Sequence, residues 1–179
     1  MIIALAALAM ALTGCAQRGP GGTAAVAKPD HPSKTVTLKT PVVYADSAHV
    51  RQAVRRECRL PQKLERFIKH YAAERNIQVD TSREPADQIQ GQVLDVRITR
   101  VYAPGGGAFS GGKSVTIAGD LTENGKTLGD FKARRISGGG AFAAFKGTCD
   151  IAGRDVETLG KDVSTFLATP TEGARMGNM

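Results

Sequence analysis

The apolar residues of this chain follow one spacing before residue 90 and another after it. Val50, Val54 and Cys58 stand at i, i+4 and i+8, and PQKLERFIKHYAAERN from Pro61 continues in helical style. A period of 3.6 residues belongs to a helix burying one stripe. After Gln90 the stretch GQVLDVRITRVY instead sets Leu94, Val96 and Ile98 on one side and Asp95, Arg97 and Thr99 on the other. A period of two belongs to a half-buried strand. A single fold must therefore supply both a helix layer and a sheet.

The remaining elements can be ordered around this change. TVTLKTPVVYA at residues 35–45 is a β-branched run. Pro41 lacks an N–H, so this run lies at a sheet edge or bends there. Asp46 or Ser47 is placed to cap the following helix, which runs to about Cys58; Pro61 then restarts or kinks it. KSVTIAGDL and KTLGDFKARRIS flank Asn124-Gly125, the pair a type I′ hairpin turn requires at its two positive-φ positions. Cys149, Ala152, Val156, Leu159, Val163 and Phe166 form another helical stripe, from about Thr148 to Ala168, closed by Pro170. The order strand, helix pair, meander, helix predicts an α+β fold of two layers: an antiparallel sheet, made of a strand plus a three-stranded meander, with helices packed on one face. With 179 residues, no Trp, three Tyr and six Phe, this is one domain with a core mainly of Val, Ile, Leu and Ala.

The chain begins MIIALAALAMALTGC, whose apolar run is too short to span a bilayer and fits the h-region of a secretory signal. Leu12-Thr13-Gly14-Cys15 resembles the lipobox of bacterial outer-membrane lipoprotein precursors. The resemblance implies cleavage after residue 14, acylation of Cys15 and, with no Asp following Cys15, sorting to the outer membrane facing the periplasm. The n-region has no Lys or Arg, which departs from the family pattern. Several acyl chains are what stable anchoring needs, since one chain alone binds marginally. Residues 1–14 thus read as a signal peptide, 15–34 as a lipidated flexible tether rich in Gly, Pro and Ala, 35–170 as a single periplasmic domain and 171–179 as a disordered tail. In element order the mature domain is similar, coarsely, to small periplasmic domains of curli-secretion and penicillin-binding-protein activator lipoproteins. Fold likeness of that kind transfers no function.

An oxidising compartment favours pairing of the two remaining cysteines. Cys58 and Cys149 both lie on apolar helical stripes, so a disulfide where the helices pack is expected; two buried free thiols are the alternative. The net charge of +7 fits anionic neighbours such as lipid headgroups, lipopolysaccharide phosphates or cell-wall carboxylates, and equally an ordinary basic surface. Arg51, Arg55 and Arg59 share one face if a helix runs through them, giving a candidate anionic-ligand strip; Lys132, Arg134 and Arg135 crowd one strand. Nucleic acid is not an expected partner of an exported chain.

GGGAFSGGKS at residues 105–114 matches G-x-x-x-x-G-K-S through Gly107, Gly112, Lys113 and Ser114. A Walker A loop needs a helix leaving it, so that loop N–H groups and the helix dipole meet on the phosphates. VTIAGDL alternates like a strand, so the reading is a glycine loop between strands, no nucleotide, and a Lys113 dispensable for stability. GGGAF recurs at residues 138–142, and the two loops offer Phe109 and Phe142 as contacts for a partner or lipid surface; otherwise each folds back onto the core. No H-E-x-x-H, C-x-x-C or G-x-S-x-G occurs, and His31, His49 and His70 are scattered. Neither a catalytic set, a metal nor a cofactor is indicated. The expected function is a non-enzymatic binding or accessory component of cell-envelope assembly, docking an envelope protein or cell-wall partner. An envelope hydrolase using two distant carboxylates and a purely structural lipoprotein are the alternatives.

Overall fold

A computed structural model describes residues 28–106, 111–138 and 146–179. The chain runs β1 (Lys34–Lys39), β2 (Val43–Tyr44), α1 (Gln52–Glu57), α2 (Leu60–Ala73), β3 (Ile77–Ser82), β4 (Gln92–Tyr102), β5 (Lys113–Glu123), β6 (Lys126–Ser137), α3 (Thr148–Ala168) and β7 (Ala174–Gly177). The strands form one seven-stranded sheet in the order β3-β1-β4-β5-β6-β7, with β2 also on β4.

The α+β class and the β4–β5–β6 meander match expectation; the antiparallel sheet does not. β1 pairs in parallel with both β3 and β4, β2 with β4, and β6 with β7, so the sheet is mixed. Two strands were not anticipated. β3 follows α2 directly and is reached by a crossover from β1 through both helices; β7 uses part of the expected tail and is reached from β6 through α3. Such crossovers make parallel pairs, which need a dozen or more connecting residues.

The strand expected to be edged or bent by Pro41 bends. The Thr40-Pro41 bond is cis, separating β1 from β2, and β1 itself is interior, between β3 and β4. Val42 N–H then donates to Glu65 Oε1 of α2 at 2.6 Å, fixing the bend to the helix layer. The tether boundary moves too: Lys34 is already in β1, and Ser33 donates from its N–H and its hydroxyl to Asn76 C=O at 2.7 and 3.0 Å. Arg51, rather than Asp46 or Ser47, occupies the N-cap of α1. At the hairpin, Asn124 and Gly125 have φ of 50° and 80°, as a type I′ turn demands.

All helices lie on one side of the sheet. Leu60, Leu64, Ile68 and Ala72 of α2 face Ala152, Val156, Leu159 and Val163 of α3, over Leu38, Leu94, Val96, Ile98, Ile117 and Leu121 from the strands; all are buried. Each such Leu, Ile or Val contributes about 1.5–3 kcal/mol by leaving water. Cys58 and Cys149 are joined, as expected, with Cα atoms 4.8 Å apart across a separation of 91 residues. The bond ties the α1–α2 junction to the first turn of α3.

Candidate functional site

Alternation along the strands sends the core residues to the helices and leaves the other face of the sheet open. The register lines up the open-face residues of β4 to β7 in transverse rows. Asp95, Asp120 and Asp130 share the first; Arg97, Ala118, Lys132 and Arg175 the second; Arg100, Thr116 and Arg134 the third; Tyr102, Ser114 and Ile136 the fourth.

The third row depends on an irregularity in β4. Ile98 pairs with Ile117, but Arg100 pairs with Thr116, so Thr99 and Arg100 together oppose one residue. Without that extra residue Arg100 would share the inward face of Leu94, Val96 and Ile98. The bulge turns Arg100 outward and Val101 into the core, because a one-residue slip reverses every side chain beyond it. Thr99 Oγ1 donates to Thr116 C=O at 3.3 Å across the bulge.

Members of the second and third rows line a cleft of about 610 Å³, containing Arg100, Thr116, Lys132, Arg134 and Arg175, with Ser47 and His49 from the β2–α1 connection and Met179 from the C-terminus. A second hollow of about 480 Å³ shares His49 and carries Arg51 and Tyr102. Strands lie about 4.8 Å apart, so the backbones of Arg100 and Arg134, with β5 between them, are separated by about 10 Å.

The charges on this face are sorted. Asp95 accepts from Lys39 Nζ at 3.2 Å and from Arg97 Nη2 at 3.1 Å. Burial pushes its pKa up, but these two cations together outweigh that and hold it below the usual carboxylate value. Asp120 next to it is raised, first by burial and then by the Asp95 charge. Among the described residues the ion pairs are those of Asp95, His70 with Glu74, and Arg135 with Asp162; Arg100, Lys132, Arg134 and Arg175 are in none of them. Four cations thus line one cleft outside the ion pairs of the described residues.

The strip foreseen on Arg51, Arg55 and Arg59 is not continuous. α1 ends at Glu57, and Arg59, at φ 48°, turns the chain into α2. Arg55 stacks over the Tyr44 ring at 4.6 Å and donates to Ala48 C=O at 3.1 Å. Arg51 alone reaches the groove. The cluster Lys132, Arg134, Arg135 is split by strand alternation: the first two enter the cleft, while Arg135 turns to the helices and donates from Nε to Asp162 Oδ2 at 2.8 Å. Cys15, Phe109 and Phe142 lie outside the described residues.

The phosphate-loop pattern resolves into a strand. β5 starts at Lys113, where a nucleotide loop requires a helix. Its lysine was expected to be dispensable, but it is wholly buried, with Nζ donating to Gly111 C=O at 3.0 Å. Its neighbour across β6 is Ser137, whose hydroxyl donates to Asp155 Oδ1 of α3 at 2.6 Å. Asp155 is buried, its Oδ2 has no hydrogen-bond partner among the described residues, and burial pushes its pKa up to about 7. This perturbed acid lies between sheet and helix and lines neither hollow. Among the described residues no group of three His, Cys, Asp or Glu is placed to hold a metal ion, and no helix is long and apolar enough to cross a membrane.

The sequence reading missed Arg100 and Arg175. The alternation that places Arg97 outward fails at the bulge, and Arg175 sat in a segment with little apolar pattern. Comparison with protein-family models and with curated proteins gives no match. Among solved structures the chain is similar to the PelC dodecamer from Paraburkholderia phytofirmans, at TM-score 0.45 and 15% identity, covering 76% of this chain and 90% of that one. It is also similar to protein XCC0632 from Xanthomonas campestris, at TM-score 0.47 and 10% identity, covering 79% and 86%. At these values the likeness is one of chain path, and no function is transferred.

Proposed function

We propose that this protein is a non-enzymatic accessory component of a bacterial cell envelope, lipid-anchored through Cys15 at the outer membrane, that holds an anionic envelope component against its open sheet face. The observation that carries this reading is the convergence of Arg100, Lys132, Arg134 and Arg175 on one cleft outside every ion pair of the described residues. Cations on a concave wall attract polyanions and orient them, and the cost of their crowding is recovered when an anion enters. The signal-like leader with Leu12-Thr13-Gly14-Cys15 supports the address.

Two measurements test it. Co-sedimentation of the full chain with isolated envelope fragments is expected to be strong at low salt and weak at high salt, and to be lost in Arg100→Gln/Arg134→Gln; retention by that variant overturns the cleft. Palmitate incorporation is expected in the wild type and absent in Cys15→Ala; its persistence overturns the anchor.

A further inference from the structure

We infer that the cleft takes an acidic polysaccharide, an inference that rests on the anionic-ligand reading above. Three features of the open face select this class. First, the cations are distributed. Lys132 and Arg175 are neighbours in one row, and Arg100 and Arg134 flank Thr116 in the next, two strand spacings apart. The four charges come from three strands along the cleft, so they suit a ligand that carries anionic groups along its length.

Second, the row beside the arginines has exposed, largely apolar side chains at its two ends. Tyr102 is 61% and Ile136 48% exposed, at either side of Ser114. A large exposed aromatic ring next to cations has a use if something flat and partly apolar lies on it. The C–H face of a pyranose is such a surface, and the tyrosine hydroxyl remains free to bond its rim. The hollow holding Tyr102 and the basic cleft share His49 in their linings, so ring and charges lie in neighbouring hollows.

Third, the cations surround a recess whose lining includes Thr99 and Thr116. A lipid bilayer presents a plane and does not enter such a recess; a single glycan chain does. Nucleic acid shares the charge and the stacking, but the exported address on which this inference rests removes it from the compartment.

Binding of the full chain, in detergent micelles, would be measured to polygalacturonate, its methyl-esterified neutral form, polyphosphate, a single-stranded oligonucleotide, and phosphatidylglycerol vesicles. Polygalacturonate is expected to bind and its esterified form not to. Arg100→Gln/Arg134→Gln should weaken every polyanion roughly tenfold. Tyr102→Ala should weaken polygalacturonate by about fivefold and leave polyphosphate unchanged. Tyr102 is surface-exposed, so this variant tests contact rather than folding. If polyphosphate, oligonucleotide or vesicles bind as tightly as polygalacturonate and Tyr102→Ala is silent, the polysaccharide inference falls while the anionic cleft stands. If no polyanion binds, both fall.

Discussion

Lys113 and Asp155 show how little a residue's letter says about its role without its neighbours. Lys113 carries the key position of a nucleotide pattern, yet it sits at the start of a strand with its ammonium buried. Lys113→Ala should therefore lower stability by about 1–3 kcal/mol, read as a fall in the denaturant midpoint; an unchanged midpoint would return the residue to a dispensable role. Asp155 gives a pH signature. Its pKa rises from 3.8 to about 7 on folding, so the folded chain holds this proton where the unfolded chain has lost it. Below 3.8 both states are protonated and the residue has no pH effect. As pH rises towards 7 the unfolded state binds fewer protons, so stability falls through this window and the loss is complete above it. In Asp155→Asn, which keeps an oxygen for the Ser137 hydroxyl, urea midpoints between pH 4 and 7 should lose most of this slope. A slope equal to that of the wild type would show that another group sets it.

Among the elements, α1 and α3 were the most legible, because stripes at three and four residues specify which face is buried whatever lies opposite. Val54, Cys58, Ala152, Val156, Leu159, Val163 and Phe166 are in the core as their spacing indicates, whereas Val50, which precedes α1, and Cys149 are only partly buried against it. How closely the helices approach is a separate matter. A Cβ at Gly160 would meet Phe67 Cβ at 2.5 Å and its carbonyl carbon at 2.9 Å, so this glycine lets the two helices touch. Gly160→Ala gains helix propensity but must part the helices, and the expected outcome is a net loss of about 1–3 kcal/mol in chemical denaturation. The disulfide belongs to the same interface. Its loop of 91 residues implies that Cys58→Ser/Cys149→Ser loses on the order of 4 kcal/mol, and a wild-type thermal midpoint in that variant would show the link to be incidental. β3 and β7 were less legible for physical reasons. β3 begins directly after α2, where helical and strand patterns run together, and β7 is four residues long, too short to display a period.

At the scale of the molecule, the fold divides labour between the faces of one sheet. The helix side holds the core and the disulfide; the open side carries sorted rows of acid, base and apolar groups. The strand register that aligns these rows also makes their charges act together, so polyanion affinity should fall steeply with salt. The sequence alone determined what depends on neighbours three or four positions away, or two: the helical stripes at Val54 and Cys58 and along α3, the β4–β5–β6 meander, the Asn124-Gly125 turn, and the net positive charge. Which strands lie side by side is a long-range matter that local spacing does not encode. Parallel pairing of β1 with β3 and of β6 with β7 arose from crossovers, and the outward turn of Arg100 from a single extra residue in β4. Only when those pairings form do Arg100, Lys132, Arg134 and Arg175, drawn from three strands, come to share one cleft.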